Sequence, residues 1–173
     1  AAIKLLAKDA KFAKDGVFTV GNNTGRFPFS GFATDNKTVI GGEAEIAQLV
    51  ADALGRKLEV VTTAWADWPL GVVSGKFDAV ISNVTVTEQR KEKFDFSTYR
   101  KDLLGFYVKK GNEIDIREPR DVAGLKVIVG AGTNQEQILL RWNEANLKAG
   151  LKPVDIQYYD DDVVLYLALE SGR

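Results

Sequence analysis

Short apolar runs alternate with helical stripes along the first half of the chain. The runs are bounded by turn residues, as buried strands are, and they cover residues 17–21, 58–61 and 77–81. After the first run, residues 44–54 keep the apolar spacing of one helix face, and Gly55 predicts the helix end. A shorter helix is predicted over residues 68–74, closed by Gly75. Between the first strand and the first helix, residues 35–37 have the composition of a hairpin tip.

The same alternation returns in the second half, after loop-like residues 109–112. After this loop the predicted strands cover residues 125–129 and 155–159, and the predicted helices cover residues 135–146 and 161–170. A further strand is predicted just before the loop, over residues 103–108. A glycine-rich turn, residues 130–134, stands between a strand and the helix that follows it. The order β-α-β-α-β in the first half predicts a parallel α/β sheet.

Polar residues follow two of the predicted parallel strands. The stretch "SNVTVTEQR", residues 82–90, comes directly after the strand at 77–81, and residues 22–24 follow the strand at 17–21. Ligands of open α/β sheets bind at the carboxyl ends of strands. The sequence therefore predicts a polar binding site at this edge of the sheet.

The two halves end alike, which suggests a repeated architecture. The helix at 68–74 leads through a Ser-Gly-Lys step into a strand, whereas the last helix reaches Ser-Gly-Arg and the chain stops at Arg173. We expect the chain to be a fragment of a two-lobed protein, with an incomplete first lobe over residues 1–104 and an incomplete second lobe over residues 105–173. The alternative is that the second half is a complete smaller lobe.

The amino-acid composition excludes several kinds of chemistry but says little about the fold. The 173 residues are 45% hydrophobic and 27% charged, with 23 Lys and Arg against 24 Asp and Glu, and the absence of a basic run argues against nucleic acid as a partner. Because there is no Cys and no His, the chain has no disulfide, no thiolate nucleophile and no Ser-His-Asp triad. No catalytic residue, metal or cofactor is expected. The chain begins at Ala1 without an initiator Met, which fits an exported protein whose signal peptide has been removed.

Arg90 is the leading candidate for holding an anion. Its guanidinium fork matches a carboxylate in bidentate geometry, and the Thr85 hydroxyl and backbone donors near Asn83 could complete the site. The turn at 130–134 offers helix N-terminal N–H groups, which also attract anions, so we expect one anion to be held from both lobes. The alternatives are a surface Arg on the charged segment 88–93, and a simple N-cap role for Thr133.

Aromatic residues lie at strand ends rather than on helix faces. Aromatic rings in such positions either line an apolar pocket for a ligand or pack in the protein core. The residues concerned are Phe27, Phe29, Phe32 and Trp65. Trp65 is the best placed of them for ligand contact, because it lies between a strand and the next helix.

Three segments of the chain carry a resemblance to a known family. They are residues 41–47, residues 74–90 with 94–97, and residues 127–136. From about Gly16 to its end the chain resembles the periplasmic amino-acid-binding proteins of ABC importers, the bacterial extracellular solute-binding proteins of family 3. The resemblance implies an α/β, two-lobed fold of periplasmic-binding-protein type II, with the C-terminal part missing from this chain.

The resemblance also implies ligand contacts residue by residue. Asn83 and Thr85 match positions that bind the amino and carboxylate groups of the ligand, Arg90 matches the carboxylate-binding Arg, and Asn134, beside Thr133, matches a backbone N–H that meets the same carboxylate. The resemblance places ligand side-chain contacts at Asn23 and Arg26 and a pocket wall of the first lobe at Trp65. Phe29 is a further candidate ligand contact, from its position among the strand-end aromatic residues.

Two substitutions and one gap separate the chain from the family pattern. Asn83 stands where Gly or Ser is usual, and Gly42 stands where Phe is usual. The Asp that binds the amino group in the family would lie on a strand beyond Arg173, outside this chain.

The function implied by the resemblance is transport. A monomeric protein outside the cytoplasm would capture an amino acid between two closing lobes and deliver it to an ABC transporter permease. The rival is an enzyme on the same fold, like the periplasmic dehydratases of aromatic biosynthesis, with Glu43, Glu45 or Asp67 as acid or base and solvent exposure as the simpler expectation for each. Asn23 and Arg26 favour a polar ligand side chain, whereas Trp65 favours an apolar one, so the amino acid stays open.

Overall fold

The computed structural model describes residues 2–6, 10–159 and 161–172, and it divides into two compact units, Ala1–Val84 and Thr85–Arg173. The strands and helices of the first unit are β1 (Val17–Asn22), β2 (Gly31–Phe32), β3 (Val39–Ile40), α1 (Gly42–Ala53), β4 (Lys57–Thr62), α2 (Trp68–Val73) and β5 (Ala79–Val80). Those of the second unit are α3 (Glu88–Lys91), β6 (Lys126–Val129), α4 (Asn134–Lys148), β7 (Asp155–Tyr158) and α5 (Asp162–Ser171).

Strand β1 is the centre of the first unit. It pairs in parallel with β4 along its whole length and with β5 on its other side, so the sheet order is β4-β1-β5. Because both neighbours cover it, β1 is buried at every position after Val17. Helix α1 packs on this sheet through Ala47 and Ala51, against Phe18 and Val20. The predicted parallel α/β architecture is confirmed.

The hairpin tip at residues 35–37 is also confirmed. Strands β2 and β3 pair antiparallel on either side of it, and Asn36 takes the left-handed conformation (φ 53°) that such a tip requires. The Asp35 carboxylate accepts from the backbone N–H groups of Lys37 and Thr38, at 2.9 and 2.8 Å, and from the Thr38 hydroxyl. These three hydrogen bonds lower the pKa of Asp35, because they favour its ionised form.

The predicted strand at residues 77–81 is shorter than expected, with regular pairing only in β5. Phe77 turns its ring into the space between Gly21 and Gly71, where it is 1% exposed. Asp78 donates its N–H to the Thr19 carbonyl, and its carboxylate accepts the Thr19 N–H at 2.7 Å. A side-chain oxygen therefore stands where the next backbone hydrogen bond of the ladder would be.

The second unit is built around a βαβ element. Strands β6 and β7 pair in parallel, and α4 connects them. Its core consists of Val122, Val129, Leu139 and Val154. The side chain of Asn146, in α4, donates to the Pro119 carbonyl at 2.8 Å and so fixes the 3-10 turn Pro119–Val122 against the helix.

The predicted strand at residues 103–108 is wrong. The segment is irregular, and no strand in the described part of the chain pairs with it. Leu103 is 90% exposed and Tyr107 is 79% exposed. An apolar run forms a strand only where another strand offers its backbone N–H and C=O groups.

The boundary predicted between the two lobes, after residue 104, differs from the boundary between the two compact units, after Val84. Because a lobe is not the same as a compact unit, the lobe boundary stays a prediction.

Across residues 2–6, 10–159 and 161–172, no helix has both the length and the apolar character needed to cross a bilayer. In that same part of the chain no cluster of three or more acidic, His or Cys side chains is arranged to hold a metal ion.

Candidate functional site

The carboxyl ends of the three parallel strands in the first unit are joined by polar contacts. The Asn23 N–H, after β1, donates to Oγ of Ser82, after β5, at 3.0 Å. The Asn23 side-chain amide donates to the carbonyl of Thr63, after β4, at 3.1 Å. The edge predicted from the sequence is therefore a connected polar surface, with Asn83 directly beside Ser82. The amide nitrogen of Asn23 is already engaged within the protein.

A buried polar cluster lies beneath this edge. Asn22, Ser30 and Glu43 are each at most 3% exposed. The Asn22 amide donates to the Glu43 carboxylate at 3.1 Å and to the Ile81 carbonyl at 2.6 Å, while the Ser30 hydroxyl donates to the Asn22 side-chain oxygen. The cluster ties the end of β1 to the start of α1.

Sequence reasoning missed this cluster and expected Glu43 to be exposed, which is wrong. Glu45 and Asp67 are exposed as expected. The available signal was the position of Glu43 in the first turn of α1, where a carboxylate is favoured by the helix dipole and faces the sheet. The partner that makes burial tolerable, Asn22, lies 21 residues earlier and could not be identified by local pattern.

The loop at residues 26–30 is a tight turn that caps α1. Arg26 and Ser30 form an antiparallel bridge, and the Phe29 carbonyl accepts the Glu43 N–H at 2.9 Å. The Pro28 carbonyl accepts the Gly42 N–H at 3.1 Å. Arg26 is exposed and Phe29 is half-buried. Both predicted ligand contacts thus sit on a loop whose backbone is held by the helix.

Trp65 lies on a 3-10 turn after β4, as the sequence suggested. Its ring meets Trp68 edge to face, with centroids 6.2 Å apart. Trp68 is buried, whereas Trp65 is half-buried. The buried ring therefore supports the more exposed one.

Arg90 lies in the candidate site of the second unit. The Thr87 hydroxyl accepts the Arg90 N–H at 3.2 Å and caps the short helix α3. The guanidinium turns away from that helix: Nη1 donates to the Thr85 carbonyl at 2.9 Å, and Nη2 donates to the Gly132 carbonyl at 3.1 Å. Arg90 is half-buried, whereas Glu88 and the other residues of α3 are exposed. Its role stays a prediction.

Burial changes the electrostatics of this group. Desolvation lowers the pKa of Arg90, because a low-dielectric surrounding disfavours the charged guanidinium. The guanidinium stays cationic at neutral pH, since its ordinary pKa lies far above neutrality. A carboxylate brought beside it would offset the desolvation, and charge-assisted hydrogen bonds are about twice as strong as neutral ones.

The glycine-rich turn is the other part of this site. Thr133 is buried and is the N-cap of α4: its hydroxyl accepts the Glu136 N–H at 3.1 Å and donates to the Gly130 carbonyl at 2.7 Å. Thr133 is therefore an N-cap, a role that is compatible with ligand contact. The Gly132 N–H, one of the N–H groups of this turn, donates to the Glu136 carboxylate at 2.7 Å.

Of the predicted ligand-contact residues, Thr85, Arg90, Thr133 and Asn134 belong to the second compact unit, and the others belong to the first. In the unit Thr85–Arg173, the guanidinium joins Thr85 to the turn that leads into Thr133 and Asn134. The sequence had assigned Arg90 and this turn to opposite lobes, and here they belong to one compact unit. Ligand contact stays a prediction for all nine residues: Asn23, Arg26, Phe29, Trp65, Asn83, Thr85, Arg90, Thr133 and Asn134.

Parallel α/β units whose strands end in polar, hydrogen-bonded turns define a class of ligand-binding α/β proteins. Within that class, the chain belongs to the bacterial extracellular solute-binding proteins, family 3, whose sequence model matches residues 18–163.

Individual proteins agree with this assignment. The chain is 38% identical over 150 residues to the L-cystine-binding protein TcyJ of Escherichia coli, covering 86% of this chain and 53% of that protein. It is 26% identical over 166 residues to a cyclohexadienyl dehydratase of Pseudomonas aeruginosa, covering 94% of this chain and 59% of that protein. An ancestral arginine-binding protein bound to arginine superimposes with a TM-score of 0.75 at 29% identity, covering 91% of this chain and 67% of that one. The chain spans about half the length of the curated binding proteins it matches.

Proposed function

We propose that this chain is part of an extracytoplasmic solute-binding protein that captures an amino acid and delivers it to an ABC transporter permease. The observation that carries the proposal is the Arg90 guanidinium, half-buried and held by the Thr85 and Gly132 carbonyls beside the N-terminus of α4. A fixed guanidinium next to helix N-terminal N–H groups has the chemistry of an α-carboxylate site.

The positive charge of the Arg90 guanidinium favours a ligand that carries a carboxylate. The Gly132 N–H is engaged by Glu136, and no acceptor within the described ranges contacts the N–H groups of Thr133 and Asn134. Those two donors and Arg90 would share one carboxylate. Relatives named for cystine and for arginine support an amino acid as ligand. A location outside the cytoplasm, a monomeric state and closure of two lobes on the ligand belong to the same proposal.

The test is calorimetric titration of the full-length protein with L-cystine, L-arginine and L-glutamate, comparing the wild type with Arg90→Ala. The wild type is expected to bind at least one of them. Removal of the guanidinium should cost about 3 kcal/mol, or roughly a hundredfold in Kd, because charge-assisted hydrogen bonds to the carboxylate are lost.

Lys91→Ala is the matched control, since Lys91 is an exposed neighbouring cation that pairs with Glu88 rather than with the turn. It should bind like the wild type. An Arg90→Ala variant that keeps its circular dichroism spectrum and its affinity would contradict the proposal.

We propose binding without catalysis, although a dehydratase is among the relatives. Glu43, the buried carboxylate of the three acid-base candidates, is hydrogen-bonded to Asn22 beneath the strand ends, while Glu45 and Asp67 are exposed. This arrangement supports a structural role for Glu43. Turnover of a cyclohexadienyl substrate by the full-length protein would favour the enzyme instead.

A further inference from the structure

Gly132 is held at both of its backbone groups by side chains from other elements. Its carbonyl accepts from Nη2 of Arg90 at 3.1 Å, and its N–H donates to Oε2 of Glu136 at 2.7 Å. Gly132 has a φ of 68°, in the left-handed region. The residue that sets the direction of the chain into Thr133 and Asn134 is therefore clamped between a cation and a carboxylate.

The role of Glu136 goes beyond ordinary helix capping. In a capping box, the carboxylate three residues into the helix returns to the N–H of the N-cap residue itself. Here the N-cap is Thr133, yet the Glu136 carboxylate reaches one residue further back, to Gly132. It thus contacts the residue that also binds Arg90.

The Glu136 carboxylate also acts on Tyr158, at the end of β7. The carboxylate beside the Tyr158 hydroxyl raises the pKa of Tyr158, because an adjacent anion disfavours the phenolate. The contact that ties Glu136 to the turn before α4 is its hydrogen bond from the Gly132 N–H. Truncating Glu136 would release Gly132 on one side.

We propose that Glu136 is a positioning residue for the amino-acid site: by holding the Gly132 N–H it orients the Arg90 guanidinium and the Thr133–Asn134 turn toward one incoming carboxylate. This inference rests on the proposed function. The opposing hypothesis is that the Glu136 carboxylate occupies the anion position and competes with the ligand. The two hypotheses predict opposite changes in affinity when the carboxylate is removed.

The experiment is calorimetry of the full-length protein with whichever of L-cystine, L-arginine and L-glutamate the wild type binds. Glu136→Ala is expected to weaken binding about tenfold, the effect of losing one charge-assisted hydrogen bond, whereas Glu136→Gln, which keeps an acceptor oxygen, should stay within about threefold of wild type. Glu144→Ala is the matched control. It removes an exposed carboxylate of α4 that pairs with Lys148, and it should leave affinity unchanged.

Tighter binding by Glu136→Ala would support competition and overturn the proposal. So would unchanged affinity in a folded Glu136→Ala protein, or equal losses in the Ala and Gln variants. A wild type that binds none of the three amino acids would overturn the proposed function instead, so the two failures are distinguishable.

Tyr158 provides a second measurement if Glu136→Ala does not fold. Tyr158→Phe removes the hydroxyl beside Glu136 and should weaken binding about threefold, with a smaller fall in melting temperature than a buried core substitution causes. Ultraviolet titration of the wild type against Tyr158→Phe should reveal one tyrosine with a pKa above the ordinary value of about 10. In Glu136→Gln that pKa should fall toward the ordinary value. Unchanged affinity in Tyr158→Phe together with an unshifted tyrosine would overturn the proposal.

Discussion

Asn83 has a φ of 50°, in the left-handed region that side chains other than Gly, Asn and Asp seldom adopt. It lies three residues after the end of β5, where the chain leaves the sheet. This backbone conformation explains why Asn is accepted at this position. A short amide side chain is among the few that tolerate a positive φ.

Asn83→Ala should therefore destabilise the protein more than Asn83→Gly does, by about 1 kcal/mol, because Ala alone clashes with the following carbonyl at positive φ. Urea denaturation of the full-length protein measures the difference. Asn36, exposed at the hairpin tip with a φ of 53°, is the matched position and should show the same order of Ala and Gly. Equal stabilities of the two variants at residue 83 would contradict this account.

The residues whose roles depend on local geometry were predictable from the sequence. Thr133 is the N-cap of α4, three residues before the N–H that it accepts, and Asp35 organises its own hairpin tip. Glu43 was not recognised, because its partner Asn22 lies 21 residues away along the chain. Glu136 has the local spacing of a capping box with Thr133, but the link of its partner Gly132 to Arg90 spans 42 residues. A single sequence contains no local signal for such pairs.

At the scale of elements, helix α2 lies against the Phe77 ring through a residue without a side chain. A Cβ on Gly71 would overlap the ring, and a Cβ on Gly21, in β1, would lie 2.8 Å from it on the other side. Phe77 is 1% exposed, so its ring is enclosed by neighbouring atoms. The helix can approach the sheet at this distance only with Gly at residue 71.

Gly71→Ala should lower stability, although Ala in a helix interior is normally favoured over Gly by about 1 kcal/mol. Overpacking of a buried ring typically costs 1–3 kcal/mol, so the net loss is expected at about 1 kcal/mol. Thermal denaturation of the full-length protein is the measurement. Gly42→Ala, in the first turn of α1 with open space around it, is the control and should be neutral or slightly stabilising. A Gly71→Ala protein as stable as the wild type would show that Phe77 can repack.

Helices were predicted more accurately than strands. The apolar period and caps locate α4 and α5 within two residues of their observed ends, because those signals lie inside the element. The run at residues 103–108 has the composition of a strand, but its pairing depends on a partner elsewhere in the fold. Its sequence could not indicate whether that partner is present.

At the scale of the whole molecule, one apolar surface of the second unit is uncovered. We call it the 103–108/α5 surface, and its most exposed members are Leu103, Tyr107, Val163, Tyr166 and Leu167. The rings of Tyr107 and Tyr166 meet edge to face at 6.4 Å, and the Lys109 ammonium donates to the Glu170 carbonyl at 2.7 Å. The irregular segment therefore lies along α5, and the two expose apolar residues together.

Contiguous exposed apolar area promotes association, whereas single exposed leucines are ordinary. The 173-residue chain by itself is therefore expected to bind a hydrophobic dye and to self-associate at rising concentration. Leu103→Ser with Leu167→Ser should reduce both effects and leave stability within about 0.5 kcal/mol, because neither side chain is buried. Leu49→Ser with Leu70→Ser is the matched control, since it removes two leucines of similar exposure from the other unit. Dye fluorescence and sedimentation velocity measure the outcome, and equal reductions in the two double variants would mean that exposed leucines act singly rather than as the 103–108/α5 surface.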